Sequence, residues 1–346
     1  MQQQGKALTV PIGLMGAAQG FNPTILLLLG SIVLATASTT GYWVWGWADW
    51  LVFVCNFSSL YVLGTVIHDA CHGVAHPNRI VNAAVGHIAA ILQGFVFPVF
   101  TRVHMQHHAH VNDEEDDPDH YVSTGGPLWL IAARFFYHEI FFFQRRLWRN
   151  YELLEWAISR AIVIATIFVG YHWGFLDYMM NFWFVPAAVM GMMLGLFFDY
   201  LPHRPFVERS RWKNARVYPN WLLNIMLLGQ NYHLVHHLWP NVPWYYYEKA
   251  YYQMKPLLDA NGSPQTLGIF RMPDLAGFLY DVFLGIRFHG HAEKGSEHKP
   301  KKRKKNAKSV TGFPPVITSK YSFIIRFKSI ISNRLSNPSI SPASPN

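Results

Sequence analysis

Four long apolar segments constrain the fold of this chain more than any other feature of its sequence. A helix needs about 20 residues to cross a bilayer. The segments run from about Thr24 to Trp43, Ala48 to Ile67, Ala157 to Trp173 and Tyr178 to Tyr200. The links around Gly46 and Gly174 contain only a few residues. The sequence therefore predicts an all-α integral membrane protein with four transmembrane helices in two hairpins.

The composition agrees with this class of protein. Charged residues make up 14% of the chain, whereas soluble domains carry about 25%. The net charge of +9 comes from the C-terminal segment, because the residues after 291 include 12 Lys or Arg and only 2 acidic residues. We therefore expect a membrane-embedded domain over residues 1–290, a basic and disordered tail over 291–346, and no nucleic-acid partner.

Basic residues also predict the orientation of the chain. Lys and Arg are absent from the two short links and frequent in the segment between the hairpins and after the fourth span. The positive-inside rule then places both termini and the long middle segment in the cytoplasm. Two further apolar stretches, Ile80 to Phe100 and Leu128 to Phe143, contain polar residues. We expect the first to be interfacial or re-entrant and the second to form a helix at the interface.

Histidine spacing predicts the chemistry. Nine histidines fall in the motifs HDACH, HMQHH, HLVHH and the segment DYLPHRP, namely His68, His72, His104, His107, His108, His203, His233, His236 and His237. Residues three and four apart share a helix face, so each cluster should aim its imidazoles at one point. A single HxxxH pair is more often structural, but two copies of HxxHH beside a third cluster favour metal binding. Imidazole suits iron, copper and zinc.

The predicted topology places all of these motifs on one side of the membrane. With four spans, each motif follows the cytoplasmic end of a span or lies in the middle segment; a fifth span would separate them. One metal cannot accept nine nitrogens, whereas two metals can share them. The sequence thus predicts a histidine-rich cytoplasmic cap over the helices that holds two metals.

Other polar residues near the motifs are candidates for orienting these ligands. Metal-bound imidazoles usually donate their second N–H to an acceptor. Asp69, Asp199 and His76 are placed to serve this purpose, and Asp199 could also reach a metal directly. The acidic run at 112–120 lacks the glycine and glutamate of a calcium loop. We interpret it as a solvated turn in which one carboxylate could orient a ligand.

The motifs resemble those of a known superfamily. HDACHGVAHPNRIVNA, FPVFTRVHMQHH, FFDYLPHRPF and GQNYHLVHHLWP are similar to segments of membrane fatty-acid desaturases and hydroxylases, and more closely of cyanobacterial-type β-carotene hydroxylases. The stretch DDPDHYVSTGGPLWLIAARFFYHEIFFFQRRLW shares this resemblance, which covers roughly residues 20–290.

The resemblance implies a function. It implies a plasma or thylakoid membrane enzyme with two irons that uses dioxygen and electrons from ferredoxin or a similar donor. It further implies hydroxylation of β-carotene at ring carbon 3, giving cryptoxanthin and then zeaxanthin. No catalytic side chain is expected beyond the metal ligands. The carotenoid would enter from the lipid, and we expect the stretch from Phe135 to Phe143 to form a wall beside it.

Three alternatives remain open at this stage. A carotenoid ketolase acting at ring carbon 4 and an acyl-lipid desaturase would use the same ligands. A metal transporter would place ionisable residues at mid-membrane, where these spans carry almost none.

Overall fold

The structure is a computed structural model that describes residues 9–149, 151–269, 272 and 274–285. The described residues form helices and turns, and no strand occurs among them. The predicted boundary at residue 290 and the tail over 291–346 lie outside this part of the chain.

The helices used below are labelled in chain order. They are α1 (Pro23–Trp45), α2 (Asp49–Cys71), α3 (Arg79–Gln93), α4 (Phe97–His110), α5 (Pro118–Thr124), α6 (Phe136–Gln144), α7 (Glu152–His172), α8 (Leu176–His203), α9 (Trp221–Met226), α10 (His233–Leu238), α11 (Tyr247–Ala260) and α12 (Asp274–Phe283).

Four of these helices, α1, α2, α7 and α8, are long and apolar enough to cross a membrane. They confirm the four predicted segments, with ends displaced by a few residues. The largest displacement is at the start of α7, which begins at Glu152 instead of Ala157. Helix α8 continues as far as His203 through two π-helical stretches, Met180–Phe184 and Gly195–Tyr200. His203, the predicted ligand that follows this segment, is therefore part of the helix itself.

The α3–α4 pair is the source of any fifth crossing. Its two helices are bent by 101° at the break between them. Gly94 ends α3 with a φ of 78°, a left-handed conformation that glycine adopts without a steric penalty. A bent pair of this kind is either a broken span or a re-entrant loop, so the expectation that Ile80 to Phe100 is interfacial or re-entrant stays a prediction.

The Leu128 to Phe143 stretch differs from the single helix expected. It divides into a 3-10 turn at Leu128–Leu130, a short helix at Ile131–Arg134 and α6. The side chain of Arg134 turns back and donates to the carbonyl oxygens of Val122 and Pro127. This contact holds the guanidinium inside the protein, and the chain changes direction around it.

Small polar residues pack α1 against α2 in an antiparallel arrangement. The Ser31 hydroxyl lies 2.8 Å from that of Ser59, and Ser38 donates to the carbonyl of Val52 at 3.2 Å. Small residues allow two helix backbones to approach closely, and their hydroxyls satisfy each other where water is absent.

The second and fourth candidate spans also pack tightly. A Cβ added at Gly64 of α2 would lie 2.9 Å from Leu194 Cδ2 of α8, so only glycine fits without a shift of the leucine. This close contact brings the last turns of α2 and α8 to the same end of the bundle. His68 and His203 both lie there.

The fold generates a prediction about membrane topology. If α3–α4 re-enters instead of crossing, small epitope tags inserted at Gly20 and Ser210 should be accessible from the cytoplasm, and a tag at Gly174 should not. Protease protection in sealed vesicles measures this accessibility. Tags at Gly20 and Ser210 on opposite sides would show an odd number of crossings and contradict the four-span arrangement.

Candidate metal centre

The nine histidines come together at one end of the bundle. His68 lies in the last turn of α2 and His72 caps that helix. The HMQHH histidines lie on the last turns of α4, His203 ends α8, and the HLVHH histidines belong to α10. All nine side chains are buried or half-buried.

Five of the histidines form a first group, which we call centre 1. His68, His72, His104 and His236 present ligand nitrogens within 4.8 Å of one another. The Nε2 atoms of His68 and His236 are 3.1 Å apart, and those of His72 and His104 are 3.0 Å apart. His108 joins them, with its Nε2 2.8 Å from that of His236.

The other four histidines form centre 2. His107, His203, His233 and His237 also have ligand nitrogens within 4.8 Å of one another. The Nε2 of His233 lies 3.1 Å from that of His203 and 2.9 Å from that of His237. The His107 and His237 Nε2 atoms are 3.3 Å apart.

Each HxxHH motif is divided between the two centres, which differs from the convergence on one point that spacing predicts. The first and last histidines of each motif lie in one centre, and the histidine at the fourth position lies in the other. His104 and His108 belong to centre 1 and His107 to centre 2, whereas His233 and His237 belong to centre 2 and His236 to centre 1. A helix turns by about 100° per residue. Positions i and i+4 therefore point in directions roughly 40° apart. Position i+3 points roughly 60° from position i on the opposite side, and so about 100° from position i+4.

The nitrogen spacing fits metal coordination. Two nitrogens at right angles around a metal, with bonds of about 2.0–2.1 Å, are roughly 3 Å apart. The Nε2 pairs named above are separated by 2.8–3.3 Å. Each centre can therefore place its imidazoles around a metal ion with little movement.

The surroundings keep most of these imidazoles neutral. Burial, followed by repulsion from neighbouring imidazoles, lowers the pKa of those outside the spans well below its ordinary value; they are His72, His104, His108, His233, His236 and His237. A neutral imidazole has a lone pair for a metal, whereas a protonated one does not.

His107 has a different environment. Burial acts to lower its pKa, but the carboxylates of Asp117 and Asp119 outweigh it and raise the pKa of His107 to about 9. Its Nδ1 lies 2.9 Å from Asp117 Oδ1 and 3.5 Å from Asp119 Oδ2. With the Nδ1 proton held there, Nε2 is directed toward centre 2, so the carboxylates orient the ring and make it a stronger donor.

The chain places Asp117 there because it begins a helix. Its side chain caps α5 by accepting from the Asp119 N–H at 3.0 Å, and its second oxygen accepts from the Asn112 N–H at 2.8 Å. Asp119 also accepts from His138 Nε2 at 2.8 Å. Asp117 and Asp119 are thus buried, so the expected solvated turn is wrong for this part of the acidic run. The expectation that one carboxylate of the run contacts a histidine of the motifs agrees with the Asp117–His107 hydrogen bond.

Three other imidazoles have partners at Nδ1. His203 donates to the Asn214 carbonyl at 2.9 Å, and His236 pairs with the Tyr247 hydroxyl at 2.9 Å. His233 lies 3.3 Å from Gln230 Oε1. The position of Gln230, three residues before His233 on one face, was a usable sequence signal. Asn214 and Tyr247 gave none, since a backbone carbonyl and a residue in another helix are placed only by the tertiary fold.

Two of the predicted orienting residues have other contacts. Asp69 accepts from the Thr24 hydroxyl at 2.8 Å and from the Trp244 N–H at 3.3 Å. It therefore ties α1 to the segment before α11 instead of holding an imidazole. His76 Nδ1 accepts from the Asn78 N–H at 3.0 Å in the turn before α3. Neither residue has a described hydrogen bond to one of the nine histidines, so the orienting role expected of Asp69 and His76 stays a prediction.

Asp199 is the third predicted residue, and it lies beside the centres. Its Oδ2 is buried without a hydrogen-bond partner among the described residues. The side chain lines a cavity together with His68, His104 and His233. This position is compatible with its expected contact to the site, although no described bond links it to an imidazole.

The cavity beside Asp199 is mainly apolar. Its volume is about 50 Å³. The apolar lining residues are Gly64, Ile67, Phe95, Phe100, Phe135, Leu194 and Phe198. Of the stretch expected to form a wall, Phe135 and His138 line this cavity. Phe141 and Phe142 pack in the core against α4, and Phe136 is exposed. The wall prediction was therefore wrong for most of its length.

Comparison with known proteins agrees with this geometry. The sequence profile of the fatty acid desaturase family matches residues 41–268. A β-carotene ketolase from a Paracoccus strain is 31% identical over 237 residues, which cover 64% of this chain and 90% of the relative. A β-carotene ketolase from a second Paracoccus strain is 33% identical over 188 residues, covering 52% and 69%. A chloroplastic omega-3 fatty acid desaturase from Brassica napus is 24% identical over 302 residues, covering 74% and 71%.

Family membership follows from two independent matches. The profile covers more than half of the chain, and the first ketolase is matched over 90% of its own length. Both agree with the four apolar helices and the convergent histidines. This integral membrane protein belongs to the fatty acid desaturase family.

Proposed function

We propose that this protein is a di-iron oxygenase that hydroxylates the β-ring of β-carotene at carbon 3. The observation that carries the proposal is the pair of imidazole groups next to an apolar cavity. Centre 1 would hold one iron through five histidines, and centre 2 would hold the other through four. Two irons bound there would supply, with dioxygen and two external electrons, the oxidising power to replace a ring C–H by C–OH.

The chain's own groups prepare the site for this reaction. Phe100, Phe135 and Phe198 present an apolar surface to the ring and keep water away from the oxidant. Asp117 and the Asn214 carbonyl fix the orientation of His107 and His203. The reaction consumes two protons as the second oxygen atom of dioxygen leaves as water. Among the described residues, Asp119 and Asp199 are the acidic side chains on the cavity wall, and they are the candidates to deliver these protons.

A carotenoid is favoured over an acyl chain by the relatives. Two relatives above 30% identity act, by name, on β-carotene. The HDACH, HMQHH and HLVHH segments resemble the hydroxylase motifs and support carbon 3. A ketolase acting at carbon 4 is the second candidate, and the same two relatives favour it.

The electron donor should dock on the cytoplasmic face close to the histidines. Arg211 donates to the carbonyl of Leu238, which directly follows His237. Lys213 is near it in the chain, and Arg145, Arg146 and Arg149 follow α6. We propose that these basic residues receive ferredoxin or a similar acidic protein, because opposite charges steer weak redox partners together.

Product analysis distinguishes the three reactions. Expression in a host that accumulates β-carotene should give cryptoxanthin and zeaxanthin, identified by chromatography and mass spectrometry. Products with a 4-keto group would replace the proposal by the ketolase function. New double bonds in acyl lipids, with β-carotene unchanged, would replace it by the desaturase function.

The ligand assignment predicts the effect of removing His203. His203→Ala removes one of the four nitrogens of centre 2, so the purified protein should contain about one iron instead of two and lose hydroxylation. Iron is measured by atomic emission on protein that elutes as a folded species. The control is His172→Ala, in the last turn of α7, at the end of the helix bundle away from the nine histidines. This variant should keep both its iron content and its hydroxylation activity. Full iron and turnover in His203→Ala would remove it from the ligand set.

Asp117 should act through His107. Removal of a group that orients a ligand typically weakens metal binding by about 10–100-fold. The Asp117→Asn variant should therefore lose its iron at a chelator concentration about 10–100-fold lower than the unsubstituted protein needs. The Asp116→Asn variant, which changes a half-exposed neighbour, should lose iron at the same chelator concentration as the unsubstituted protein. Equal iron retention in the two variants would contradict the orienting role.

A further inference from the structure

A second, larger cavity lies between the spans. Its volume is about 390 Å³, and it is bounded by α1, α2, α3, α7 and α8. Among the described residues, no charged side chain lines it. The lining is apolar and aromatic with a few neutral polar groups, among them Thr36 and Asn56.

The cavity exists because α7 is attached to the rest of the protein mainly near its ends. Arg160 donates to the Gly94 carbonyl at 2.9 Å and to the Glu139 carboxylate. At the other end, Gly170 leaves room for the Met179 sulfur. Between these attachments, Ile162, Val163 and Thr166 line the cavity.

A space of this kind suits an apolar guest. Apolar cavities hold water poorly and bind apolar molecules. Only 11% of the most apolar 18 residues of α7 are buried, so a lipid-soluble molecule can reach the cavity from the side of this helix.

The second cavity lies next to the small cavity beside the histidines, further along α2. On α2, Leu60 and Leu63 line the second cavity, while Gly64 and Ile67 line the first. At the end of α3, Leu92 lines the second cavity, and Phe95, just after the helix, lines the first. From His68 to Asn56 is 12 residues, or about 18 Å along the helix at 1.5 Å per residue. A straight rod with one end at the histidines would reach into the second cavity.

The two cavities adjoin along α2, where Leu63 lines the second cavity and the next residue, Gly64, lines the first. Leu194 of α8 lines the first cavity and packs directly on Gly64. The first cavity alone, with about 50 Å³, is too small for a ring with its attached chain, so a carotenoid whose ring lies there must extend beyond it.

We propose that the second cavity binds the distal part of the carotenoid, with the polyene running along α2 and one ring at the histidines. The proposal rests on the hydroxylase function. It places the polyene across the membrane between the spans and not along α6. A phospholipid acyl chain is the other possible guest, but it is flexible and gains nothing from alignment with the site, whereas a rigid polyene requires it.

Matched substitutions on α7 test this proposal. Val163→Trp fills the second cavity, and Val169→Trp makes the same change at an exposed position six residues away. Ala35→Phe, on α1, fills the cavity from the opposite side. The readouts are β-carotene retained per chain after gel filtration, turnover of β-carotene, and turnover of β-ionone, which has the ring without the polyene.

We expect Val163→Trp and Ala35→Phe to lower β-carotene retention and turnover by roughly tenfold or more, the loss expected when a bulky group occupies a binding site. Turnover of β-ionone should match the unsubstituted enzyme, which shows that both variants are folded. Val169→Trp should match it in all three measurements.

Three results would overturn the cavity assignment. They are unchanged β-carotene retention in both filled variants, an equal loss of β-ionone turnover, and loss of co-purified phospholipid alone. If retention responds as expected but the unsubstituted protein forms no oxidised ring, the cavity proposal stands and the hydroxylase function fails. If zeaxanthin forms and the filled variants retain β-carotene normally, the function stands and the cavity proposal fails.

Discussion

The structure depends on holding nine imidazoles with their Nε2 atoms about 3 Å apart in a buried space. Burial of polar groups costs free energy unless each finds a partner, and protonated imidazoles at this distance would repel one another. Two metal ions would satisfy the lone pairs of neutral rings that face each other. The rest of the fold serves this requirement, since α2, α4, α8 and α10 must all deliver histidines to one end of the bundle.

The sequence was sufficient for the spans and for the histidine set. Four apolar segments and the HxxxH and HxxHH spacings are local signals, and they also predicted that His203 lies with the clusters. It was insufficient for the distribution of ligands between two centres. His107 faces centre 2 while His104 and His108 face centre 1, and this depends on how α4 is rotated relative to α10.

Acceptors for the second ring nitrogen were the least predictable part of the site. Asp69 looked suitable because it is adjacent to His68, but adjacent residues on a helix point about 100° apart, and its carboxylate binds Thr24 and Trp244 instead. Asp117 was hidden in an acidic run that resembles a solvated turn. Its burial follows from its place as the cap of α5 directly beneath His107, which is a tertiary relationship.

The account stands or falls with the two metal centres, and anomalous diffraction at the iron edge from crystals of the iron-loaded protein tests them most directly. It predicts two iron peaks, one in contact with the Nε2 atoms of centre 1 and one with those of centre 2, and none elsewhere. A single peak, or a peak bound to the Asp117 and Asp119 carboxylates in place of the centre 2 imidazoles, would contradict it.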